Sequence, residues 1–192
     1  MVTEDEGASL DCETCIAYDT SCVGSRMTCS AGQDTCMVGL SKTSVAGFNI
    51  PAAAKSCQSH EVCNFLEPIY MDFGKRNFIR ARGVCCLEDA CITASPQLPP
   101  VNTTTNGNQC PACFSLSSDC YPELLDCTGS ENYCFELATQ TIKGESMSIT
   151  LKGCTTESFC AALQSGKVSL ADIGISLAKA GCQLAKQAIP SA

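Results

Sequence analysis

Eighteen of the 192 residues are cysteine, and thiols at fixed intervals support three chemistries. They can ligate a soft metal, exchange electrons at a C-x-x-C pair, or close into structural disulfides. Cys12 and Cys15 have the C-x2-C spacing, as do Cys110 and Cys113. A zinc site would need further Cys or His at ligand spacing, but the next intervals are six residues long and His60 is the only imidazole. A thioredoxin-like pair opens a helix after a strand, and Leu10-Asp11 and Asn108-Gln109 do not provide that context. An oxidised framework remains, which suits an even count and an extracellular, secreted chain. No metal and no cofactor is expected.

Other catalytic groups are scarce. His60, in Cys57-Gln-Ser-His-Glu-Val-Cys63, has no neighbours from which a Ser/His/Asp set can be built, so it reads as a solvated loop residue. Glu88-Asp89, between Cys86 and Cys91, reads as a turn and offers too few oxygens for calcium. The chain is expected not to be an enzyme.

The cysteines also define the architecture. They fall at 12, 15, 22, 29, 36, 57, 63, 85, 86 and 91, then at 110, 113, 120, 127, 134, 154, 160 and 182. Moved back by 98, five of the second set coincide with the first set and three more miss by one. The chain is therefore an internal duplication. Residues 96–108, Pro-Gln-Leu-Pro-Pro-Val-Asn-Thr-Thr-Thr-Asn-Gly-Asn, read as a semi-rigid exposed linker between units at 1–95 and 109–192. Asn102-Thr103-Thr104 in that linker is an N-glycosylation sequon.

Composition agrees with small stapled units. Without cysteine only about 36% of residues are core formers, and there is no Trp, 7 Phe and 4 Tyr. No apolar run approaches the roughly 18 residues of a membrane span. A net charge of −8 argues against nucleic acid. The acidic Met1–Glu6 start does not resemble a leader, which fits a mature form, and no hydrophobic tail follows Cys182, which disfavours a lipid anchor.

The segments between cysteines read mainly as β-hairpins. Phe135–Ile142 and Met147–Lys152 flank a Gly-containing turn, and Met147, Ile149 and Leu151 alternate with polar residues. Met37–Ser56 gives a less regular hairpin with Pro51 at an edge or tip. Ile69–Phe73 and Arg76–Arg82 form another, on which Arg76, Phe78, Arg80 and Arg82 share a face. That stripe is either a solvated strand face or a contact for an acidic partner. In the second unit, Leu170, Ile173, Leu177, Gly181, Leu184 and Ala188 step by three and four, so a helix is expected within Val168–Ile189, packed on its own domain, with a membrane-lying or partner-binding helix as the alternative.

The spacing Cys12-x2-Cys15-x6-Cys22-x6-Cys29-x6-Cys36, followed by Cys57, Cys63, Cys85-Cys86 and Cys91, resembles a urokinase-receptor-type three-finger (snake-toxin-like) domain. Two tandem units in one chain are similar to gamma-type phospholipase A2 inhibitors and to amphibian sodefrin-precursor-like factors. The resemblance implies a small, disulfide-rich, mainly β fold. It implies the pairs Cys12–Cys36, Cys15–Cys22, Cys29–Cys57, Cys63–Cys85 and Cys86–Cys91, then Cys110–Cys134, Cys113–Cys120, Cys127–Cys154 and Cys160–Cys182. Two departures stand out: Ile92 follows Cys91 where the family usually has Asn, and the second unit lacks the final pair, which leaves its C-terminal end less constrained. The implied function is inhibition of a secreted phospholipase A2 by protein–protein masking, with self-association into a homo-oligomer. The alternatives are a pheromone-like extracellular signal, or a carrier of small apolar molecules lined by Leu170–Ile189.

Overall fold

The computed structural model describes residues 9–142, 144–166 and 175–189. The first repeat forms three hairpins: β1 (Asp11–Ala17) with β2 (Ser25–Thr28), β3 (Thr35–Val45) with β4 (Phe48–Gln58), and β5 (Ile69–Asp72) with β6 (Phe78–Cys86). A 3-10 turn spans His60–Phe65, and one helical turn, α1, spans Ala90–Thr93. The second repeat has β7 (Thr105–Ser115), β8 (Glu123–Thr128), β9 (Tyr133–Ile142), β10 (Glu145–Ser146), β11 (Thr150–Thr155), α2 (Glu157–Ser165), β12 (Ile175–Leu184) and β13 (Lys186–Gln187). The fold is mainly β, as its alternating segments require.

Local sequence explains several of these elements. Ala46 and Gly47 close the β3–β4 hairpin with φ of 51° and 85°, and two positive φ values give the turn whose twist matches the strands. Pro51 lies in β4 where the strand's other edge is open, because β1 covers only Ala53–Lys55. β11 begins at Thr150, so Met147 and Ile149 precede the strand, although the Thr139 N–H still donates to the Ile149 carbonyl. Thr105–Asn108, at the end of the expected linker, are the first residues of β7.

The helix expected within Val168–Ile189 is a strand where that segment is described. Residues 167–174, including Leu170 and Ile173, lie outside the described residues. Ile175–Leu184 instead pairs with β9, with bulges around Leu177. Helix propensity of an Ala-rich segment is a weak preference, and the open edge of β9 together with the Cys160–Cys182 bond overrides it. The helix of this interval is Glu157–Ser165. Thr156 precedes it in extended conformation, Glu157 occupies the first turn, and Gly166 ends it in the left-handed region at φ 66°.

Nine disulfides tie the framework: Cys12–Cys36, Cys15–Cys22, Cys29–Cys57, Cys63–Cys85 and Cys86–Cys91, then Cys110–Cys134, Cys113–Cys120, Cys127–Cys154 and Cys160–Cys182. None joins one repeat to the other. In place of a fifth bridge, the C-terminal end of the second repeat is held by backbone pairing. β13 adds to β7, Ala185 N–H donates to the Asn132 carbonyl, and Ala188 N–H donates to the Gly107 carbonyl.

The base of each repeat is packed largely with sulfur. Cys12, Cys36, Val38 and Cys91 cluster in the first, and Cys110, Cys127, Cys134 and Cys154 in the second. The core of larger side chains is shared. Met71 and Phe73 of the first repeat pack with Phe135 and Leu137 of the second, beneath Phe159 and Leu163 of α2. Phe135 and Phe159 meet edge to face at 5.8 Å. Antiparallel pairing of Cys154 with Asp72 and Thr155 with Met71 makes one continuous sheet across the junction. Thr155 Oγ1 donates to the Tyr70 carbonyl at 2.6 Å, and Ser158 Oγ donates to that of Pro68 at 2.9 Å. Gly153 permits this approach, since a Cβ there would collide with the Asp72 carbonyl oxygen. Among the described residues the junction rests on backbone pairing, side-chain hydrogen bonds and apolar burial, not on covalent links.

Candidate functional site: the fingertip rim

Strand directions turn the hairpin tips the same way. β4 is antiparallel to β1 and β3, β6 to β3 and β5, and β11 to β5, β7 and β9. So β1, β3, β5, β7 and β9 all run the same way, and their ends form a staggered series: Ala17 ends β1 level with the residue before Ile69, Asp72 ends β5 beside Cys154, and Ser115 ends β7 beside Thr150, four residues further on. The sulfur-packed base of the first repeat lies at the opposite ends of its strands, whereas that of the second repeat, at Cys134 and Cys154, is level with the Asp72 end of β5. β5 and β7 share one edge of β11, so four strand spacings separate β1 from β7. The tips of the first hairpins of the two repeats are therefore about 20 Å apart across the strands and, because Ser115 lies eight residue steps beyond Ala17 in register, a further ~26 Å apart along them.

The hairpin tips are apolar and exposed. In the first repeat, Tyr18 is 75% exposed and Val23 89%. Shifted by 98, the equivalent positions in the second repeat are Leu116 at 71% and Tyr121 at 88%. Each pair flanks a short loop closed by Cys15–Cys22 or Cys113–Cys120, so a stiff turn presents the side chains. Phe48 at the next tip is 71% exposed, and Met147 in the second repeat 44%. Large apolar groups held in water on rigid loops lower the ordering cost of association, because little freedom remains to be lost. Other exposed apolar residues, among them Met27, Leu87, Ile92 and Ile189, are scattered near the bases and the C-terminal end.

Neighbouring contacts stiffen the rim. Buried Asn77 accepts a hydrogen bond from Ala46 N–H at 2.9 Å, joining two tips of the first repeat. Its own N–H and carbonyl close the Phe73–Asn77 turn. Lys75 and Arg76 in that turn have φ of 53° and 62°, a strained conformation for residues with side chains. A cleft of about 430 Å³ separates this turn from the first hairpin of the second repeat. Phe73, Ala112, Phe114, Tyr121 and Leu124 line it, and Lys75 meets Glu123 across it at 3.8 Å. A larger hollow of about 890 Å³ lies at the base, bordered by Asp34, Glu88 and Asp89. Among the described residues, none from Ser176 to Ile189 lines either, so the carrier reading draws no support from that segment.

The structure divides the basic stripe. Arg76 belongs to the rim, whereas Phe78, Arg80 and Arg82 alternate along β6. Arg80 stacks on the Phe78 ring at 5.5 Å and donates from Nη1 to the Pro99 carbonyl at 2.8 Å. Tyr70 donates to the Pro100 carbonyl at 2.8 Å, so the linker crosses this face of the sheet. Asn102 is exposed, and its Oδ1 accepts the Thr104 N–H at 2.9 Å. His60 is exposed at the start of the 3-10 turn, its N–H donating to Asp34. Asp89 pairs with Arg26 at 3.1 Å. The sulfurs of Cys12, Cys29 and Cys57 lie within 4.8 Å of one another, as do those of Cys110, Cys127 and Cys154, but each is in a disulfide and none is a thiolate ligand.

Ionisable groups respond to their surroundings. The Lys55 ammonium, 2.6 Å away, holds Glu13 below its usual range, and Lys152 and Lys179 do the same for Glu136. Burial raises Asp72. It lifts Glu131 to about 7, despite hydrogen bonds from the Thr128 N–H and hydroxyl. The rim itself was missed in the sequence. Its residues look like isolated loop hydrophobics, and only the common direction of five strands turns them the same way.

Known proteins resemble both halves. A family model described as phospholipase A2 inhibitor matches residues 10–93, and one described as u-PAR/Ly-6 domain matches residues 106–184. A phospholipase A2 inhibitor gamma subunit of Gloydius brevicaudus siniticus is 32% identical, over 82% of this chain and 80% of its own. Phospholipase A2 inhibitor NAI of Notechis ater is 32% identical over 80% and 78%, and the phospholipase A2 inhibitor 25 kDa subunit of Naja kaouthia is 30% identical over 81% and 84%. Mouse TEX101 aligns with 92% of this chain and 99% of its own at 14% identity and a TM-score of 0.37, an overlap too loose to carry an argument. With that identity to the inhibitors across four-fifths of both chains and the duplicated finger architecture, the chain belongs to the phospholipase A2 inhibitor family of two-domain u-PAR/Ly-6 proteins.

Proposed function

We propose that this protein is a secreted, non-enzymatic inhibitor of phospholipase A2 that acts by masking. The fingertips carry the reading: apolar side chains, duplicated between repeats, stand on disulfide-closed hairpin loops that face the same way. Enzymes that work at lipid surfaces expose apolar groups around their entrance, and stiff apolar fingertips suit such a face. The acidic net charge of −8 favours encounter with basic enzymes at low salt. No described helix is long and apolar enough to cross a membrane.

The test is binding to, and inhibition of, a panel of purified secreted phospholipases A2. Tyr18→Ser with Tyr121→Ser should weaken binding at least tenfold and leave the fold intact. Complete indifference of the panel to the wild-type protein would sink the inhibitor reading. The pheromone-like reading has no specific observation in its favour here.

Asn102 is proposed as the glycan attachment point. Its side chain is exposed, and the Asx turn to Thr104 presents the sequon in an accessible bend. Loss of mass on treatment with an N-glycanase, abolished by Asn102→Gln, is the expected result for protein from a secreting eukaryotic cell. Units at 1–95 and 109–192 remain the proposed domain limits.

A further inference from the structure

We propose that the sheet face bearing Lys42, Arg80 and Arg82 is a binding site for a sulfated polysaccharide. Charge is unevenly spread in this acidic chain. From Met37 to Cys86 there are six cations and three carboxylates, against a net charge of −8 for the whole chain. Lys42 of β3 lies directly opposite Arg80 of β6, and Leu40 directly opposite Arg82. Directly opposed residues share a face, as do residues two apart on a strand. Lys42 and Arg80 are therefore about 5 Å apart at Cβ, and Arg80 and Arg82 about 7 Å.

Like charges directly opposed across strands destabilise a sheet unless something neutralises them. Among the described residues no ion pair reaches Lys42, Arg80 or Arg82. Carboxylates near this face are engaged elsewhere. Glu13 pairs with Lys55, Asp72 accepts the Gly74 N–H, and Glu131 accepts from Thr128. Arg80 is held in place by the Pro99 carbonyl and the Phe78 ring. A pre-oriented guanidinium beside two further cations fits an oxyanion.

The surroundings select the occupant. β3 and β6 are each paired on both edges, so an acidic peptide could not add as a strand, and only its side chains would contribute. The linker at Pro99 and Pro100 crosses the same face and would hold a flat bilayer away from Arg80. A thin polymer with a high density of permanent negative charge can lie beside the linker and meet all three cations. This site does not depend on the phospholipase reading.

The probe is heparin, with N- and O-desulfated heparin, polyglutamate and anionic phospholipid vesicles as the other arms, all titrated in NaCl. Wild-type protein should bind heparin and ignore the desulfated chain. Lys42→Ser with Arg82→Ser should weaken heparin binding at least tenfold and lower the slope of log K against log salt by about 2, as counterion release predicts. The charge-keeping pair Lys42→Arg with Arg82→Lys should retain binding, which separates loss of the site from loss of the fold. Lys152→Ser with Lys179→Ser removes two cations already neutralised by Glu136 and should change little. No binding of heparin, equal losses for both serine pairs, or tighter binding of polyglutamate or vesicles would each overturn the proposal.

Discussion

Glu131 shows how much a single buried carboxyl can report. Its side chain sits in the turn before β9, 5% exposed, and burial lifts its pKa from 4.5 to about 7. The folded state therefore binds more protons than the unfolded state between about pH 4.5 and 7, and stability declines as pH rises through that window. Asp72 acts in the same sense, whereas Glu13 and Glu136, held low by lysines, lose their contribution only as acid protonates them. Glu131→Gln should raise the thermal midpoint at pH 8, with the gain shrinking towards pH 5. Melts followed by circular dichroism at both values check this, and an unchanged gap would show that ionisation is not the cause. Nothing in the sequence marks Glu131 as buried, since Ser130-Glu131-Asn132 reads as an ordinary polar turn.

At the scale of elements, the junction between repeats depends on Gly153. Gly153→Ala would push a methyl group into the Asp72 carbonyl and should cost about 1–3 kcal/mol, as overpacking does. Denaturant unfolding should then broaden or split into two transitions, because the repeats lose their shared sheet. The hairpins were legible because alternation and turn glycines are local signals. The Ala/Leu stripe misled for the opposite reason. Its spacing suits a helix, but Cys182 must reach Cys160 and β9 offers an unfilled edge, and both are tertiary facts. The real helix had a readable signature, Thr156-Glu157 at its start and Gly166 at its end, that the stronger stripe outweighed.

One sheet and one shared apolar core span the two repeats although no disulfide crosses between them. A protease site placed in the exposed Val101–Thr104 stretch should cut the linker and leave the halves associated in size-exclusion chromatography under native conditions. Separation without denaturant would show that the shared core around Met71, Phe73, Phe135 and Leu137 is too weak to hold them. A joined body matters for masking, because two flexibly linked repeats would have to order their relative placement on binding, whereas a continuous sheet sets the rim in advance.

Cysteine spacing alone established a duplicated chain, because cross-linked loops tolerate little change in length and the spacing survives in register. Alternation of apolar residues located most of the hairpins for the same local reason. Which residues would form the exposed fingertips, which strand would bridge the repeats and which arginine would be strapped by the linker depended on strand direction and register. Those are relations between residues far apart in sequence, which only the assembled sheet brings together.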